Sequence, residues 1–108
     1  MGSTKLIRYL NDRFRSTFQG GQVILSRGIR ALPKMDVAAI MLLVSTYDDF
    51  TAANDLYEEH DYASFNYKGS KIIFKIDYYD KDYKYLSPDP SDITKTNRVL
   101  TIMLAEEY

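Results

Sequence analysis

Apolar residues recur every three or four positions near the start of the chain. Leu6, Leu10, Phe14 and Phe18 lie four apart, and Ile7 falls on the same side, which predicts an amphipathic helix over residues 4–18. Lys5, Arg8, Asp12 and Arg15 share another stripe at the same spacing, expected to face water. Gly20-Gly21 ends the helix, since glycine takes the left-handed conformation common just past helix ends. The β-branched run 22–26 then predicts a short strand.

A second helix is predicted to begin near Pro33 and run to about Tyr47. Its centre, VAAIMLLV at residues 37–44, is apolar on nearly every side, the pattern of a helix buried against a sheet. Residues 48–55 read as a polar turn. Two strand-like runs, 62–67 and 71–79, flank Lys68-Gly69-Ser70 and predict a β-hairpin. In the second run Ile72, Phe74, Ile76 and Tyr78 fall on one face, the core face. Residues 85–96, with Pro88 and Pro90, predict a stiff loop. Val99, Thr101 and Ile102 favour a strand over residues 98–106, with Leu100, Ile102 and Leu104 inward. The order α-β-α-β-β-β predicts an α+β fold: two helices packed on a mostly antiparallel sheet of about four strands.

At 108 residues and 45% hydrophobic, the chain fits one domain over residues 1–108, with 1–3 expected to stand apart as a disordered or cloning remnant. Cysteine is absent, which excludes disulfides, thiolate nucleophiles and zinc–thiolate sites and suits a reducing cytoplasm. The longest apolar run is far shorter than the ~20 residues that span a bilayer, and the N-terminus lacks the apolar segment of a secretion signal, so a cytoplasmic protein is expected. The formal net charge is −1, but it hides a dipole. Residues 1–37 carry seven basic and two acidic side chains, and the remainder seven basic and thirteen acidic. A charged partner is expected on at least one side.

Residues 59–83 concentrate carboxylates, tyrosines and the only histidine, His60. One chemical reading sets Glu58, Glu59, His60 and Asp61 at the start of one strand against Asp77 and Asp80 at the end of its hairpin partner. Glu58, His60, Asp61 and Asp77 could then hold a divalent ion or do acid–base work, as a small metal-dependent enzyme or metal-binding protein. EEHD has no diagnostic ligand spacing, however. The plainer alternative has His60 and Asp61 closing the strand end with hydrogen bonds, while Arg98 or Lys75 offsets Asp77. No cofactor and no catalytic residue is assigned. Serines lack a nucleophile-elbow setting, and Gly20-Gly21 is no phosphate loop. Arg8, Arg13, Arg15, Arg27, Arg30 and Lys34 form a basic set. With no nucleic-acid-binding motif and a pI near 5.7, direct nucleic-acid binding is not expected.

The remaining reading is protein docking. Asp77, Tyr79, Asp80, Asp82, Tyr83, Tyr85, Asp89 and Asp92 would form an acidic, tyrosine-rich face for a partner with a basic surface. By analogy with small cysteine-free proteins of mobile elements, and not from any residue of this chain, the favoured expectation is a non-enzymatic inhibitor of a host nucleic-acid-handling defence complex, such as a nuclease or a CRISPR complex.

The ordered motifs NDRFR (11–15), SRGI (26–29), FTAANDLYEEHDYASF (50–65), KIDYYD (75–80), SPDPSD (87–92) and RVLTIMLAEEY (98–108) together resemble the DUF3768 family. The resemblance implies a small bacterial protein met in plasmid or prophage surroundings, and implies no particular activity.

Overall fold

The computed structural model describes residues 3–108. Helix α1 (Ser3–Thr17) leads to strand β1 (Gly21–Leu25), a four-residue helix α2 (Arg27–Arg30) and helix α3 (Lys34–Thr46). Strands β2 (Tyr62–Tyr67), β3 (Ser70–Tyr79) and β4 (Asn97–Leu104) follow, and a single 3₁₀ turn spans Ala105–Glu107. The sheet order is β1-β4-β3-β2. Strand β1 runs parallel to β4, and the other two pairings are antiparallel. The α+β class and the mostly antiparallel four-stranded sheet follow the sequence expectation; α2 is an addition. Of the residues expected to stand apart, Ser3 opens α1, and Met1 and Gly2 lie outside the described residues.

Short-range chemistry explains the elements. The Ser26 hydroxyl accepts from the Ile29 amide and so caps α2. Strand β4 stops at Leu104, two residues before the expected end. There Glu107 reaches back, its Oε1 accepting from the Leu104 amide at 2.9 Å and its Oε2 from the Gly28 amide at 2.8 Å. The hairpin between β2 and β3 turns on Lys68 and Gly69, both at positive φ.

The core lies on one face of the sheet. Ala63, Ile72, Phe74, Ile76, Leu100 and Ile102 meet Phe14 of α1, Ile29 of α2 and Ile40 and Val44 of α3. Leu104 joins this core only partly buried. Residues of the opposite parity, such as Ile73, Val99 and Met103, are buried on the face opposite α1, α2 and α3.

Two expectations about the helices are overturned. Arg15 is buried, not part of a solvated stripe, because α1 is rotated so that Ile7, Asn11, Phe14 and Arg15 face inward. Its Nη1 donates to the carbonyls of Val44 (2.9 Å) and Tyr47 (2.8 Å), which closes the C-terminal end of α3. Helix α3, in turn, is not buried on every side. Only Ile40 and Val44 are fully covered, and Met35, Leu42 and Leu43 are exposed. A four-stranded sheet shared by α1 and α3 offers α3 a single face to bury.

Candidate functional site

Residues 80–96, the connection from β3 to β4, form the longest irregular stretch beside the predicted docking residues. Its aspartates set its shape. Asp80 Oδ1 accepts from the Lys84 amide (2.9 Å), Asp89 Oδ1 from the Ser91 amide (3.1 Å), and Asp92 Oδ1 from the Thr94 amide (2.9 Å). The last two are Asx turns, in which a short side chain replaces a backbone partner, and Asp80 closes a wider turn four residues on. The Thr94 hydroxyl and amide hold the Asp92 carboxyl below its ordinary range. Further bonds tie the loop to the strands: the Ser87 amide donates to the Tyr78 carbonyl (3.0 Å), and the Asp80 amide to the Tyr85 carbonyl (2.8 Å). Asn97 Nδ2 donates to the carbonyl of Lys81 (3.1 Å).

Below the loop lies a polar core. Arg98 is 3% exposed; its Nε donates to Asn11 Oδ1 at 2.8 Å and its Nη2 to the Pro90 carbonyl. Burial holds the Arg98 guanidinium below its ordinary value. Asn11, fully buried, donates through Nδ2 to the Glu59 carbonyl (3.0 Å) and the Tyr78 hydroxyl (2.7 Å). That hydroxyl donates in turn to Glu59 Oε1 at 2.8 Å. Burial first, and the Glu59 carboxylate second, push the Tyr78 phenol far above its ordinary value. A chain of hydrogen bonds thus runs from Glu59 through Asn11 and Arg98 into the loop.

The structure places the eight expected docking residues in two groups. Asp77 and Tyr79 lie on the sheet face opposite α1, α2 and α3. Lys75 Nζ holds Asp77 at 2.8 Å, as expected, and its own value rises because of that bond. Tyr83 packs at 6.1 Å from Tyr79, and its hydroxyl accepts from Gln22 Nε2 at 3.1 Å. Asp80, Asp82, Tyr85, Asp89 and Asp92 belong to the loop. Asp82 and Tyr85 are exposed, while the other three serve as turn acceptors.

The residues of the metal reading face different partners. The chain folds back at Glu58 and His60, both at positive φ, which turns the imidazole away from Asp77 and toward α1. His60 Nδ1 lies 2.8 Å from Asp12 Oδ1, and Nε2 lies 3.4 Å from Asp55 Oδ2. The ring stacks on Phe50 at 3.9 Å with an interplanar angle of 5°. Asp12 also holds Arg15 Nη2 at 2.9 Å, so the histidine joins the network that closes α3. Arg15 Nε has no hydrogen-bond partner among the described residues; the guanidinium lies instead over the rings of Phe50 and Phe74. Glu58 is exposed and offers its carbonyl to Arg8 (2.8 Å). Asp61 accepts from the Ile76 amide through its carbonyl, and its carboxyl is pushed up by burial and by nearby Glu59, Asp55 and Asp77. Among the described residues no group of three or more His, Cys, Asp or Glu side chains could hold a metal ion.

Sequence reasoning missed Asn11, Asp12, Arg15 and Asp55 as partners, and it offered Arg98 to Asp77, whereas Arg98 binds Asn11 and the Pro90 carbonyl. The one available signal was Asn11 and Arg15 at helical spacing from Ile7, on the face of Phe14. Arg8 and Arg15, two of the basic set, are engaged within the molecule. Among the described residues no helix is long and apolar enough to cross a membrane.

The sequence model of the family described as "Protein of unknown function (DUF3768)" matches residues 25–107. The chain belongs to the DUF3768 family. The DUF3768 match takes in α2, α3, the hairpin, the loop at 80–96 and β4, and begins at the last residue of β1. Helix α1, with Asn11, Asp12 and Arg15, precedes it. No curated protein and no solved structure matches the chain.

Proposed function

We propose that this DUF3768 protein is a non-enzymatic binding protein whose contact surface is the loop at 80–96 with the adjoining ends of β3 and β1. One observation supports the reading. The loop is fastened by its own turns and by Arg98, yet Tyr85, Leu86 and Ile93 are 74%, 76% and 63% exposed. A long loop without regular structure that is nonetheless well ordered is most often functional. Rigid aromatic and aliphatic anchors lose little entropy when a partner covers them.

Charge narrows the partner. Carboxylates prevail around the anchors: over residues 77–92 five aspartates face two lysines. An excess of carboxylate around apolar anchors suits a protein with a basic surface. The partner class we favour is a cytoplasmic nucleic-acid-handling defence complex of the host, a nuclease or CRISPR complex, whose nucleic-acid groove the loop would occupy. This last step rests on analogy with other small cysteine-free proteins of mobile elements.

The test compares proteins captured from host lysate by the tagged wild type and by Y85A/L86A/I93A, with D82K as a charge variant. The expected result is a basic protein lost from the triple variant and weakened by D82K, at unchanged circular dichroism. Identical captures would sink the docking reading. With the partner purified, cleavage should fall to zero at stoichiometric protein; undiminished cleavage would remove the inhibitory role.

A further inference from the structure

Helix α3 has the composition of a helix packed on all sides, yet it carries an open apolar face. Met35 is 85% exposed and Leu42 63%, and Ala38 between them is also exposed, so one stripe follows about two turns of the 13-residue helix. Beside it runs a groove of about 330 Å³, floored by Leu25, Leu32, Val37 and Met41. Exposed apolar surface of this continuity marks an interaction site. Two methionines in and beside the groove can repack around a visiting side chain.

The rim says what kind of chain would lie there. Its charged residues are Arg30 and Lys34, both cations. Asp36, the one acid on α3, is taken by the Tyr67 hydroxyl (2.6 Å) and Lys68 Nζ (3.0 Å) toward the β2–β3 hairpin. Glu107, bonded to Ser26 and Gly28, lies near enough to Arg30 to be stabilised by it and offsets only part of the positive rim. We infer that the α3 groove docks an amphipathic helix of a partner protein, its apolar stripe along Met35, Ala38 and Leu42 and its acidic residues against Arg30 and Lys34. Helix-in-groove binding reads partners through anchors at this spacing.

This surface is distinct from the loop at 80–96. Strand β1 enters beside Arg98, at the loop end of the sheet, and leaves at Leu25 beside Ile102, at the groove end. The molecule would then present an acidic contact at one end and a basic-rimmed one at the other.

Selection from a display library of random peptides as long as α3 tests the inference on the whole protein. The expected consensus has apolar residues at helical spacing flanked by Asp or Glu. Synthesised, that peptide should bind L42E about tenfold more weakly or worse, from loss of a buried leucine contact. It should lose affinity for R30E/K34E, while its charge-reversed counterpart gains. Both variants change exposed side chains and should melt as wild type does. A consensus without acids, or binding indifferent to L42E, would overturn the proposal. So would a wild-type dimer that L42E dissociates, or retention on anionic lipid vesicles that L42E abolishes, since the face would then belong to a second copy or to a membrane surface.

Discussion

Asn11→Ala probes the hydrogen-bond chain that joins α1 to the loop. Asn11 is fully buried and both its side-chain polar atoms are engaged: Oδ1 accepts from Arg98 Nε at 2.8 Å, and Nδ2 donates to the Glu59 carbonyl and the Tyr78 hydroxyl. Arg98 is itself 3% exposed, so the vacated place at Nε is cut off from bulk solvent. A hydrogen bond to a charged group contributes about 1.5–3 kcal/mol, and the neutral bond to Glu59 about 1 kcal/mol. The Tyr78 hydroxyl keeps its Glu59 acceptor and adds little. The variant should therefore lose about 3 kcal/mol in urea unfolding followed by circular dichroism. Arg98→Met removes the other partner, and the double variant should cost at least about 1 kcal/mol less than the two single costs combined. Amide exchange in residues 87–92 should quicken in both single variants, because Arg98 holds the Pro90 carbonyl. A cost below about 1 kcal/mol, or single effects that simply add, would refute the chain as a structural unit.

The adjacent glycines should respond in opposite order to what backbone strain alone suggests. A Cβ at Gly21 would sit 2.5 Å from the Arg98 carbonyl oxygen and 2.7 Å from the Phe14 ring, so Gly21→Ala should cost about 2–3 kcal/mol. Gly20→Ala, at φ +104 in open space, should cost about 1 kcal/mol, and the reverse ranking would show that strand β1 sits differently. Arg15→Met strips the donor from two α3 carbonyls and the partner from Asp12, and should lower Tm by about 10 °C; a fall of only a few degrees would count against the capping role. The Glu107 carboxyl is held below its ordinary value of 4.5 by the Ser26 hydroxyl and then by the Leu104 and Gly28 amides. Its stabilisation is complete above the unfolded value and disappears as pH falls through the lower folded one, so the advantage of wild type over E107Q should shrink between about pH 5 and pH 3. Carboxyl NMR that shows Glu107 titrating at or above 4.5 would contradict this. Calorimetry of wild type with Mn²⁺, Zn²⁺ and Mg²⁺ should show no saturable heat, since Asp12 and Asp55 face the ring nitrogens of His60; heat lost in His60→Ala would revive the metal reading.

What was legible in the sequence was whatever alternation and spacing encode locally. Ile72, Phe74 and Ile76 recur at every second position, with Lys75 and Asp77 on the other parity and only Ile73 breaking the alternation, and the hairpin, its turn and its core face followed directly. Helix α1 was legible as a helix but not in its rotation. Leu6, Leu10 and Phe18 outweigh Asn11 and Arg15 on any apolar scale, yet the two polar residues go inside because carbonyls of α3 and the guanidinium of Arg98 await them there. Such partners are distant in sequence and leave no periodic trace. The all-apolar centre of α3 misled for a related reason: burial all round requires surroundings that one sheet and one neighbouring helix do not provide. His60 shows the same limit, since a positive φ redirected its side chain from the hairpin to α1.

The parallel pairing of β1 with β4 bears on how the chain assembles. Strands β2, β3 and β4 follow one another as antiparallel neighbours, so their pairings close comparatively short loops. Strand β1 can complete the sheet only after the far end of the chain has arrived, because among the described residues it pairs with β4 alone. In the transition state for folding, the meander should therefore be ordered while β1 and α1 remain loose, and substitutions in β1 should accelerate unfolding with little effect on the folding rate. The same late-docking segment carries Asn11 and Arg15, so the last step of folding would also fasten the loop at 80–96 and the end of α3. A newly made chain would acquire its fastened loop at 80–96 only at that point.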